Sequence, residues 1–134
     1  MKQAILLTHG PIGEALIDAV TGIMGVTEGL HALAVTDRSA DEIKQRLLSL
    51  VNQPSAIEEG VLIMASLKGG SCWNVSVEVA VNHPSVRVIS GVNLSMVLSF
   101  MTKRDEADID ELLDIVAKDG IRGITPFEKK PSHS

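Results

Sequence analysis

Four short apolar runs alternate with longer segments of helical period, and this alternation restricts the fold more than any other feature of the chain. The runs are Ala4–Leu7, Leu30–Val35, Gly60–Ala65 and Val86–Ser90. Apolar runs this short, bounded by glycine, proline and serine, read as strands buried on both faces. His31 interrupts the second run and points to an edge position for it. Between the runs, Pro11–Met24 places Ile12, Ala15, Leu16, Ala19, Val20 and Ile23 on one stripe, with Pro11 suited to a first helical turn. Ser39–Val51 opens with Ser39 and Glu42 in capping-box spacing and carries Ile43, Leu47, Leu50 and Val51 on one face. Ser71–Val81, Asn93–Met101 and Asp108–Ile121 complete the helices, the last acidic at its start as the helix dipole favours.

The order β-α-β-α-β-α-β-α-α implies an α/β domain: an open parallel sheet, order 2-1-3-4, with right-handed crossovers and helices on both faces. At 134 residues the chain accommodates one domain. Residues 1–124 are assigned to it, and the polar stretch 125–134 to a flexible tail.

In such sheets ligands bind beyond the carboxyl ends of the strands, where the strand order reverses. With order 2-1-3-4 that point lies between the first and third strands. The loops to read are therefore Thr8-His9-Gly10 and Ser66-Leu67-Lys68-Gly69-Gly70-Ser71-Cys72-Trp73-Asn74. In the second, Gly69, Gly70 and Ser71 precede a helix. They let the backbone approach a ligand closely, and the free amides up to Cys72 would attract an anion. A tight turn with Ser71 as a simple helix cap explains the same residues.

His9 follows a buried strand directly and faces that cradle. A neutral imidazole nitrogen is a competent nucleophile, and N-phosphorylation by a high-energy donor needs no metal if the donor is itself a phosphohistidine. Fixed amide dipoles would then stabilise charge on the transferred oxygens. His31, His83 and His133 read as structural or solvated residues, and no spacing among them suggests a metal site. Cys72 sits at a helix start, where a dipole lowers a thiol pKa, but His9 is the only base in view. A single cysteine rules out an intramolecular disulfide and fits a reducing compartment.

Net charge is −5, and Trp73, Phe100 and Phe127 are the only aromatic residues. This composition lacks the electrostatics and stacking surfaces of nucleic-acid binders. Ala4–Leu7 is too short for a signal-peptide core or a membrane span. The expectation is a cytoplasmic protein with no cofactor.

Thr8-His9-Gly10 after the first strand, Gly69-Gly70-Ser71 with Asn74 after the third, and Gly91-Val92-Asn93 after the fourth resemble the mannose-type IIA component of the bacterial phosphotransferase system (PTS). The likeness runs over roughly Lys2–Gly123. It implies a homodimer in which a C-terminal strand, here Ile121–Pro126, is exchanged along a sheet edge. It also implies that His9 takes a phosphoryl group from phospho-HPr and passes it to a IIB partner in sugar uptake. Asn93 would shape the third loop, with Thr8, Gly10 and Asn74 in support.

The family motif has an aspartate where this chain has Ser66. A carboxylate there would hold one imidazole nitrogen as N–H, and serine accepts the same hydrogen bond without charge. Cys72-Trp73 replaces a more usual proline and a different hydrophobic residue. Lys68 is either an exposed loop charge or a contact to phosphoryl oxygens. The lost carboxylate motivates an alternative: a regulatory IIA-like domain with slow or no transfer to a permease.

Overall fold

A computed structural model describes residues 1–129 of the chain. The apolar runs form β1 (Gln3–Thr8), β2 (Leu30–Ala34), β3 (Val61–Ala65) and β4 (Val86–Ser90). They pair in parallel in the order β2-β1-β3-β4. The helices are α1 (Ile12–Met24), α2 (Ala40–Val51), α3 (Pro54–Glu59), α4 (Ser71–Val81), α5 (Leu94–Lys103) and α6 (Ile109–Arg122).

Central position explains the burial of β1 and β3. Ala4–Leu7 and all of β3 are fully buried, because each strand has helices above and below it. β2 and β4 lie at the edges and are mostly half-buried, so the expectation of strands covered on both faces holds only for the central pair. His31 does mark an edge strand, where its Nε2 bonds Gln3 Oε1 at 2.7 Å.

Alternating side chains send the two faces of the sheet into separate cores. Ile5, Leu7, Ile63 and Ala65 pack with α2, α3 and α4 residues such as Leu47, Ala56 and Val79. Ala4, Leu6, Leu62 and Met64 pack with α1, α5 and α6 through Val20, Phe100 and Leu112. Each fully buried aliphatic or aromatic side chain of this size contributes about 1.5–3 kcal/mol, which fixes the register of every strand.

Local signals set the helix ends. Ser39 Oγ accepts the Glu42 amide at 3.2 Å, as the capping box requires. Asp108 accepts from the Glu111 amide and Asn93 from that of Met96. α3 was not foreseen, although Pro54 at its first position is an ordinary start signal.

The structure alters three other expectations. Pro11 is the N-cap of α1 and precedes its first turn. The inward face of α1 is Gly13, Leu16, Ile17, Val20 and Met24. Ile12 and Ile23, placed on the buried stripe from sequence, are 47% and 61% exposed. Two apolar rows run along this helix, and hydropathy alone does not say which one meets the sheet. Finally, Ile121 and Arg122 form the last turn of α6, and residues 123–129 make no strand. The helix continues because Gly123 keeps a right-handed conformation, and its amide bonds Asp119 O at 3.0 Å. Residues 130–134, including His133, lie outside the described part of the chain.

Candidate active site

Strand order brings the two unusual loops together. β1 and β3 are neighbours with Leu7 beside Ala65, so the chain leaves both strands at the same height, into His9 and Ser66. From there it turns toward opposite edges of the sheet, leaving a crevice between the loops. His9 Nδ1 and Ser66 Oγ are 2.9 Å apart. The Ser66 hydroxyl donates toward Cys72 Sγ at 3.7 Å, which leaves an oxygen lone pair for the ring. In the tautomer that carries its proton on Nδ1, the ring donates to Ser66 Oγ and Nε2 keeps its lone pair.

The His9 loop is held rigidly from below. Thr8 is buried, and its Oγ1 accepts the Gly13 amide at 3.0 Å, closing the first turn of α1. Gly10 has φ +57, a left-handed conformation that glycine adopts without strain. Its amide donates to Thr36 Oγ1 at 2.9 Å, a contact with the β2–α2 loop that sequence gave no reason to expect. His9 itself is exposed.

On the other side of the ring stands the start of α4. Gly70, not Ser71, is its N-cap, and among the described residues no side-chain cap bond closes this helix start. The reading of Ser71 as a simple cap therefore fails. Ser71 is the first helical residue, and the amides of Ser71, Cys72 and Trp73 donate to no backbone carbonyl among the described residues. A Cβ built on Gly70 would meet His9 Cε1 at 3.8 Å, so a side chain at this position would fill the space between the N-cap and the ring edge that glycine leaves open. Gly69, at φ +83, makes the turn into this N-cap.

The remaining residues divide cleanly. Lys68 is exposed and forms no ion pair among the described residues. The Cys72 side chain is fully buried behind Ser66, and its Sγ lies 3.8 Å from His9 Nδ1. Desolvation pushes its thiol pKa up, against the lowering expected at a helix start, because the sulfur is buried in the core where it packs against the His9–Ser66 pair. Asn74 is exposed in the second turn of α4, with its amide bonded to Gly70 O. Asn93 caps α5 and donates Nδ2 to Gly120 O at 3.2 Å, tying the β4–α5 turn to α6 without touching the His9 pair. It lines a separate apolar groove of about 290 Å³ with Ile89, Met96, Gly120, Ile121 and Ile124.

Among the described residues no three histidine, cysteine or acidic side chains converge as metal ligands, and no helix is long and apolar enough to cross a membrane. The crevice offers a nucleophilic nitrogen beside a row of open amides, an arrangement for receiving an anionic group on a histidine.

The family model described as "PTS system fructose IIA component" (EIIA-man) matches residues 3–117. The chain belongs to this family. As a IIA chain it is 30% identical over 112 residues to the sorbose-specific EIIA component of Klebsiella pneumoniae, covering 84% of this chain and 82% of that one. It is 28% identical to the mannose-specific EIIAB component of Escherichia coli (strain K12), covering 98% of this chain but 41% of that longer protein. Among solved structures, EIIA of Streptococcus agalactiae superposes with a TM-score of 0.85 at 24% identity, over 94% of this chain and 97% of that one. The mannose/sorbose-specific IIA subunit of Enterococcus faecalis gives 0.81 at 25% identity, over 98% of each chain. The IIA family membership gives the chain a phosphocarrier role in a sugar PTS.

Proposed function

We propose that His9 Nε2 accepts a phosphoryl group from phospho-HPr and passes it to a IIB partner. In each transfer the P–N bond of the donor histidine breaks and a P–N bond to the acceptor forms. The donor ring recovers its lone pair, and the Nδ1 proton of His9 stays on its Ser66 bond. The observation that carries this reading is the 2.9 Å pairing of Nδ1 with Ser66 Oγ beside the uncapped start of α4. One nitrogen is held and the other is free where open amides, with Ser71 Oγ, can meet phosphoryl oxygens. Gly69, Gly70 and Cys72 contribute backbone to that cradle, and Lys68 adds positive charge at its rim.

Partner proteins fit the surroundings. The exposed apolar row of Ile12, Ala15, Ala19 and Ile23 begins three residues after His9, and such rows mark protein-facing surfaces. A cytoplasmic location follows from partners of this kind. A homodimer is supported at the far edge. There, among the described residues, β4 has an unpaired side, and Ile121 and Ile124 stand 70% and 76% exposed along the apolar groove. A second copy would cover both.

Intact-mass analysis after incubation with phosphoenolpyruvate, the general PTS kinase and HPr tests the carrier reading. One phosphate should add to the wild type, be lost in acid, and be absent from His9→Ala. The second reading, a regulatory IIA-like domain, is favoured by the neutral Ser66. It requires that phospho-His9 form yet fail to discharge to any IIB protein encoded beside it.

A further inference from the structure

Both peptide groups that flank His9 are held by one short stretch of chain, Val35-Thr36. The Thr8–His9 peptide accepts the Val35 amide on its carbonyl at 3.0 Å, and the His9–Gly10 peptide donates its amide to Thr36 Oγ1 at 2.9 Å. A planar peptide leaves each residue only φ and ψ to vary. Fixing the planes on either side of His9 therefore fixes the direction in which its Cβ leaves the backbone. The first bond runs backbone to backbone and carries the β1–β2 ladder past the pairing of Thr8 with Ala34. The second rests on a single hydroxyl, at the point where the chain enters the left-handed Gly10.

That hydroxyl is presented by a turn with an uncommon backbone. The chain reverses over Val35–Arg38, closed by the Arg38 amide on Val35 O at 3.3 Å, and Asp37 holds φ 58. Asp37 is the only residue other than glycine with a positive φ among those described. Such a conformation is unfavourable for a residue with a Cβ and persists where its surroundings fix it. Ser39 caps α2 directly after the turn, accepting the Glu42 amide at 3.2 Å, so the turn is anchored at both ends. Threonine is stiff at χ1, which keeps Oγ1 aimed once the turn is set.

We infer that Thr36 is a positioning residue for phosphoryl transfer. By accepting the Gly10 amide, its hydroxyl sets the backbone of His9 and so the line along which the ring nitrogen meets phosphorus. This rests on the carrier reading above. Ser66 holds the ring at Nδ1, and Thr36 holds the main chain that carries the ring. The two act on different torsions, so neither replaces the other. Transfer between two nitrogens needs donor, phosphorus and acceptor roughly in line, and a small misplacement of a reacting group costs rate steeply.

Two variants isolate the hydroxyl: Thr36→Val keeps the shape and loses it, and Thr36→Ser keeps it. Rapid-quench phosphorylation at rising phospho-HPr concentration separates the maximal rate from the half-saturating concentration. Thr36→Val should lower the maximal rate by about threefold to tenfold, the equivalent of one neutral hydrogen bond. Half-saturation should not move, and Thr36→Ser should restore most of the rate. The bond lies at the surface, so water takes the Gly10 amide in Thr36→Val and the thermal midpoint should stay near that of wild type. Amide exchange gives a readout that needs neither activity nor a variant. The Gly10 amide of wild type should exchange more slowly than it would in an unfolded chain, and Thr36→Val should abolish that protection.

A Thr36→Val protein with the wild-type maximal rate overturns the inference and leaves the carrier reading intact, whatever happens to its thermal midpoint. Equal losses in Thr36→Val and Thr36→Ser overturn it too, since the hydroxyl is then not what matters. A raised half-saturating concentration at an unchanged maximal rate would assign Thr36 to donor docking and overturn its positioning role. So would a wild-type Gly10 amide that exchanges without protection. Absence of phosphorylation in wild type, with the Gly10 amide protected, would instead defeat the carrier reading and take the role of Thr36 in transfer with it.

Discussion

Replacing Ser66 with alanine removes the acceptor that holds His9 Nδ1 at 2.9 Å and leaves the ring free to exchange tautomers and rotate. A neutral hydrogen bond of this kind is worth about 0.5–1.5 kcal/mol net. Both partners are near solvent, so water replaces the lost bond and fold stability should fall by no more than about 1 kcal/mol. The effect on transfer is the full orienting energy. At 1.36 kcal/mol per factor of ten, phosphorylation from phospho-HPr should slow by about threefold to tenfold. Ser66→Asp should act in the opposite direction, because a charge-assisted bond is roughly twice as strong, and should raise the rate by up to about tenfold. Rapid-quench measurement of phosphoryl transfer gives the rates, and ¹⁵N spectra of the imidazole report the position of the proton. Wild-type rates in both variants, with the Nδ1 proton undisturbed in Ser66→Ala, would refute the orienting role of this serine.

Thr8→Val keeps the shape of a buried side chain but strands the Gly13 amide. It should cost about 1–2 kcal/mol in denaturant unfolding and slow phosphorylation by loosening the His9 loop. Gly120→Ala reverses the usual gain from removing a helical glycine. A Cβ there would stand 2.5 Å from Met96 Cγ in the α5–α6 contact. Overpacking costs of about 1–3 kcal/mol exceed the roughly 1 kcal/mol of helix propensity gained, and the thermal midpoint should drop. Burial holds the His31 pKa below its ordinary 6.5. The unfolded chain then takes up a proton at higher pH than the folded one. The stabilising contribution is complete above pH 6.5 and is lost as pH falls through the folded-state value. Urea unfolding across pH 5–8 should show this slope, and His31→Gln should flatten it.

The strands, most helices and the two loops of the crevice were legible because each rests on a local signal. Apolar runs of strand length, the capping box at Ser39 and the acidic start of α6 carry their meaning within a few residues. The site was legible for a further reason: alternation fixes a parallel sheet, and a parallel sheet of this order brings the ends of its first and third strands together. His9 and Ser66 could therefore be paired although 57 residues separate them.

Tertiary structure decided what depends on choosing between equivalent local options. α1 carries two apolar rows, and contact with the sheet through Gly13 and Val20 selects one, leaving Ile12 and Ile23 outside. Cys72 follows an anion-attracting turn, yet packing sends its sulfur into the core and reverses the direction of its pKa shift. Thr36 reaches the His9 loop only because β2 lies beside β1. Spacing along a chain records which backbone a residue prefers. Which neighbours it meets, and so which donors and charges gather around one imidazole, is set by the packing of elements far apart in sequence.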